Sequence, residues 1–146
     1  MTEPAALRTA RTHLARAEAG YRTADGLFHL EEAFALLDGI MAADTSGCGT
    51  LARNLAATYS SRILGAVSRR LEDDAGVPEP ELEHFFKLVL MLDNSGVDLP
   101  PHARAVKIEL ARRLVDFYYE GHTAAEKQQA LEQLAAVTAQ RPSGES

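Results

Sequence analysis

Ten apolar residues set the outline of this chain. Leu7, Ala10, Leu14, Ala17 and Tyr21 step 3, 4, 3, 4 along its first stretch. Leu27, Leu30, Phe34, Leu37 and Met41 repeat the rhythm in the second. That spacing gathers each set onto one face of an α-helix, whereas a strand turns every second residue to the same side. Only Ala24-Asp25-Gly26 marks a break between the two seams. Matched seams and a short link predict an antiparallel helical hairpin, with Asp25 capping the second helix.

The rest of the sequence extends the pattern. A helix is expected from Thr50, as its N-cap, to about Asp74, with Leu55, Tyr59, Ile63, Ala66, Val67 and Leu71 inward. Gly76 then supplies a positive-φ stop. After Val77-Pro78-Glu79-Pro80, a fourth helix is expected over about 81–94. It is apolar on most sides, which places it near the centre of the fold. A fifth, over about 101–120, carries two apolar stripes: Ala103, Val106, Leu110, Leu114, Phe117 and Tyr118 on one, Ile108, Ala111, Val115 and Tyr119 on the other. Thr123 and Glu126 have the spacing of a capping box and open a sixth. The expected fold is all-α, about six helices in antiparallel hairpins forming an irregular bundle or short α-solenoid. It occupies 1–140 as one domain, with a polar tail at 141–146 that has no reason to be ordered.

Composition agrees and excludes several classes. Alanine and leucine supply 44 of 146 residues, valine and isoleucine only 10, which favours helix over strand. One cysteine, Cys48, cannot form an intrachain disulfide. A net charge of −6 argues against a general nucleic-acid binder. The longest apolar run, Leu88 to Leu92, is too short to span a membrane. The opening Met-Thr-Glu-Pro has no apolar signal region, so a cytoplasmic location is expected. Arginine outnumbers lysine 12 to 3, a bias associated with GC-rich bacterial genomes.

Few residues are spaced for chemistry. Glu81-x-x-His84 puts a carboxylate and an imidazole on one helix face, as metal-binding bundles require. Its companion, His29-x-x-Glu32, runs in the reverse order, and Glu109 and Glu18 are possible further ligands. A helical metalloenzyme is therefore one alternative, although His84, Glu83 and Lys87 also read simply as the solvated strip of an apolar helix. Cys48 precedes the expected third helix, where a thiolate is stabilised, but the histidines at 13, 29, 84, 102 and 122 are scattered and none is tied to it. Asp93 to Asp98 resembles a calcium loop, yet its twelfth position is Arg104, where a carboxylate is needed. The glycines around Cys48 precede no Gly-Lys-Ser/Thr of a phosphate loop. A tetratricopeptide alignment puts Glu18 and Leu30 where small residues are required, and no period of that length recurs.

What remains favours binding over catalysis. Residues 1–24 carry a charge of +2 and the remainder −8, so Arg8, Arg11 and Arg22 suit an acidic surface, this chain's own included. Of the adjacent Tyr118 and Tyr119, one should face the core. The other, with Ile108 and Val115, suits a partner protein or a second copy. Phe85, Phe86 and Phe117 suggest a sensor pocket between the fourth and fifth helices as a further alternative. The leading expectation is a non-enzymatic helical protein-interaction module, an adaptor or chaperone, with no cofactor, nucleic acid or membrane among its partners. The stretch Leu51-Ala-Arg-Asn54-Leu55-Ala-Ala-Thr-Tyr59 resembles the flagellin export chaperone family, whose third helix carries Asn-Leu-x-x-x-Tyr after a Gly-rich turn. That resemblance implies a bundle that wraps a disordered export substrate. It covers about ten residues, lacks the family's N-terminal segment and gives the fifth and sixth helices no counterpart.

Overall fold

The computed structural model describes residues 4–43, 48–74, 76–97 and 99–139, the side chains of 135–139 excepted. Among these, the chain forms six helices and no strand: α1 (Ala5–Ala19), α2 (Ala24–Ala43), α3 (Cys48–Asp73), α4 (Glu79–Asn94), α5 (Ala103–Tyr118) and α6 (Ala124–Ala139). The all-α expectation holds. The tail at 141–146 lies outside the described residues.

The first hairpin forms, but its turn sits earlier than the sequence suggests. α1 ends at Ala19, and Thr23 rather than Asp25 caps α2. The Thr23 hydroxyl accepts from the Gly26 N–H at 3.1 Å and donates to the Gly20 carbonyl at 2.8 Å. Gly26 is no break; it is a buried residue of the first turn of α2. Its role is close approach, since a Cβ there would stand 2.0 Å from the Gly20 carbonyl oxygen. Leu7, Ala10, Leu14 and Ala17 are buried as the seam requires, and Leu30, Phe34 and Leu37 answer them on α2.

α3 packs against α1, α2, α4 and α5. Its buried line differs from the expected one in the first half. Gly49, Ala52, Ala56 and Ser60 face inward there, while Leu55 and Tyr59 are half-buried. Small side chains form the buried line there, while the larger Leu55 and Tyr59 pack partly against the core. Cys48 and Gly49 already belong to α3, so Thr50 sits in its first turn and does not cap it. Beyond Asp73, the Gly76 N–H donates to the Asp74 carboxylate at 2.7 Å, and positive φ appears instead at Gly96 and Gly121.

α4 starts two residues early, with Glu79 first and Pro80 next, a place where proline's missing N–H is harmless. It buries Leu82, Phe85, Leu88, Val89 and Leu92 and packs on α3 and α5. α6 packs on α5, and the second stripe of α5 is accordingly closed at Ala111 and Val115. The capping box forms: the Thr123 N–H donates to Glu126 at 2.9 Å and the Glu126 N–H to the Thr123 hydroxyl at 3.2 Å. One cluster of buried side chains runs from Leu7 to Leu114.

Candidate functional site

Glu81 and His84 do share one face of α4, and both are directed at the turn between α1 and α2. The Glu81 carboxylate accepts from Arg22 Nε at 2.8 Å and from Arg70 Nε at 2.9 Å. His84 Nε2 donates to the Tyr21 carbonyl at 2.8 Å. The Tyr21 ring, carried just past the end of α1, stacks on Phe85 with centroids 5.9 Å apart. Two guanidiniums on one carboxylate leave it poorly suited to a cation. The face read as a metal motif is occupied in joining α4 to the first hairpin.

Arg70 also reaches Asp74 at 3.1 Å. Nearby, Arg113 of α5 donates to the Leu71 carbonyl at 2.8 Å and the Asp74 carbonyl at 3.0 Å, satisfying the end of α3. The Arg70 hydrogen bond, with Arg22 assisting, holds the Glu81 carboxyl below the usual carboxylate range. A depressed carboxyl stabilises the fold at pH values above its unfolded pKa, and that contribution fades as pH falls through its folded pKa. With its side chain 13% exposed, Glu81 lies between the surface and buried regimes. Glu81→Gln is expected to cost about 2 kcal/mol at neutral pH. Urea unfolding should show the gap from wild type narrowing as pH falls below the ordinary carboxylate value of about 4.3 and on through the lower value of the folded carboxyl.

The other metal candidates do not join this pair. His29 Nδ1 lies 2.9 Å from His13 Nδ1, Glu32 is exposed, Glu18 pairs with Arg62 at 2.7 Å and Glu109 with Arg113 at 2.8 Å. Among the described residues, no group of three or more His, Cys, Asp or Glu side chains is placed to hold a metal. Cys48 is buried at the first residue of α3, where a reactive thiol would need access.

The aromatic end of α5 inverts the sequence reading. Tyr118, its last helical residue, is 55% exposed, and Phe117, assigned to the core stripe, is 48% exposed. Tyr119 is half-buried and edge-on to His122, with centroids 5.1 Å apart. The helix ends between the two tyrosines, so the 100° step that governs adjacent helical residues does not reach Tyr119. Val115 is covered, at 6% exposure, because α6 claims that side of α5; Ile108 keeps 36%. The Tyr118 hydroxyl donates to Glu79 at 2.8 Å and is in contact with Glu83. These carboxylates raise the phenol's pKa, the Glu83 hydrogen bond most of all.

Of the three phenylalanines proposed as a pocket lining, Phe85 is fully buried against Tyr21, Phe86 is half-buried and Phe117 is exposed. Arg8 and Arg11 are exposed on α1, and Arg22 pairs with Glu81 at 2.8 Å. In the chaperone-like stretch, Asn54 is exposed and the Tyr59 ring lies 4.7 Å beneath the Arg62 guanidinium. Among the described residues, no helix is long and apolar enough to cross a membrane. No family model, curated protein or solved structure matches this chain.

Proposed function

We infer that this chain is a cytoplasmic helical protein-interaction module whose contact surface is the C-terminal end of α5. The observation that carries this is the exposure of two large aromatic side chains at consecutive positions, Phe117 and Tyr118, at 48% and 55%. Large aromatic side chains contribute most to binding when water leaves them, and tyrosine loses little conformational entropy in doing so. The Tyr118 ring is also held: its hydroxyl is anchored to Glu79 and Glu83 on α4, so little ordering remains on association. Asp116 and Glu120 are exposed beside it. An aromatic pair with an acidic rim suits a partner segment that is apolar with flanking lysine or arginine, rather than a second acidic surface.

Phe117→Ser with Tyr118→Ser should remove binding while leaving the helix content and urea midpoint nearly unchanged. Photo-crosslinking from a probe at exposed Glu120 in native lysate, repeated in the double-variant background and with a photoprobe at exposed Arg104, tests this. A basic, apolar partner joined from 120 and lost in the double variant supports the reading. A strict monomer by light scattering whose crosslinks are the same from both positions would sink it.

A further inference from the structure

His13 on α1 and His29 on α2 face each other across the first hairpin, with Nδ1 atoms 2.9 Å apart. The contact holds one hydrogen: one ring donates and the other accepts. An N–H bond is about 1 Å long, so two facing N–H groups at that separation would leave their hydrogens roughly 1 Å apart. The pair closes when both rings are neutral or when one is charged, but not when both are. Asp25, one turn before His29, places a carboxylate oxygen 3.4 Å from His29 Nε2. A single proton taken up by the pair sits on His29, with Nε2–H toward Asp25 and Nδ1–H toward the His13 lone pair.

We propose that His13 and His29 are an acid-sensitive clasp on the first hairpin, closed at neutral pH and opened when both rings are protonated. The Phe28 ring stands edge-on to His29, with centroids 5.6 Å apart. Of the charged side chains one turn along, Arg16 on α1 and Glu32 on α2 are exposed. α3 meets α1 through Arg62 and Glu18, and Glu18 lies about 140° round that helix from His13. α4 reaches the end of the hairpin at Tyr21 and Arg22. In the unfolded chain both rings take up protons independently, near the ordinary imidazole value of about 6.5. Below that value the unfolded state binds up to one proton more than the closed pair, so stability falls as pH falls. For one proton the opening constant rises about tenfold per pH unit. The buried seam of α1, Leu7, Ala10, Leu14 and Ala17, is apolar and does not titrate, so within the hairpin crossing the response rests on this contact.

Nitrogen NMR of the untagged full chain at pH 7.5 should show a scalar coupling between the two Nδ1 atoms, transmitted through the shared hydrogen. At pH 5 that coupling should be lost. Over the same interval, amide hydrogen exchange in α1 and α2, corrected for the pH dependence of exchange itself, should accelerate about tenfold, and exchange in α5 should not. His13→Asn puts an amide, both donor and acceptor, opposite His29, so it matches that ring neutral or charged. It should remove the acceleration. Should that variant unfold, the wild-type coupling decides. A coupling absent at pH 7.5 or persisting at pH 5, the same acceleration in His13→Asn, or equal acceleration in α5 would each overturn the proposal.

Discussion

Gly26→Ala is expected to destabilise this protein by about 3 kcal/mol, the upper part of the range for overpacking a close contact. The new methyl would stand 2.0 Å from the Gly20 carbonyl oxygen and 2.6 Å from its carbonyl carbon. Both are backbone atoms, so no side chain can rotate away. That same Gly20 oxygen accepts from the Thr23 N–H at 2.9 Å and from the Thr23 hydroxyl at 2.8 Å. Moving it disturbs the turn, the α2 cap and the seat of Tyr21 on Phe85 together. Gly39→Ala is the control on the same helix. Nothing lies within 4 Å of its Cβ position, so it should gain about 0.5–1 kcal/mol from helix propensity and a less flexible unfolded chain. Urea unfolding followed by circular dichroism should therefore move the two midpoints in opposite directions. A Gly26→Ala midpoint equal to wild type would show that the hairpin crossing tolerates spreading.

Phe85→Ala is the second large effect, with an expected loss of about 3–5 kcal/mol. The ring is fully buried and stacks on Tyr21 at 5.9 Å, so its removal leaves a cavity where α4 meets the first hairpin. The polar ties around it, His84 to the Tyr21 carbonyl and Glu81 to Arg22, keep the surrounding backbone from closing that space. Phe117→Ala is the matched comparison on α5. With the ring 48% exposed, the change should alter stability by less than about 1 kcal/mol. Thermal unfolding of both variants checks the pair. Equal losses would mean that Phe117 is packed as deeply as Phe85, and would remove the support for a contact surface at the end of α5.

Much of the fold was legible because it rests on local rules. The 3–4 spacing on α1 and α2 and the Thr123–Glu126 capping box each act within a few residues, so the order of amino acids is sufficient to place them. The first half of α3 was read less well. Periodicity weighted by hydrophobicity selects Leu55 and Tyr59, whereas the buried line runs through the smaller Gly49, Ala52, Ala56 and Ser60. The candidate sites were hardest to read. Glu81 and His84 were correctly placed on one face, but a spacing says nothing of what stands opposite, and Arg22, Arg70 and the Tyr21 carbonyl stand there. Phe117 and Tyr118 were misassigned because exposure at a helix end depends on whether the next element reaches it.

The opening seams thus determined by themselves that the chain begins as a helical hairpin, since a helix's period is a property of each segment alone. The tertiary structure decided which small residues lie at the closest crossings. It decided that His13 meets His29 and that Glu81 is bound by arginines 59 and 11 residues away. It also decided which aromatic rings remain exposed. These outcomes depend on distances between segments, which are set only when several helices compete for the same buried surface.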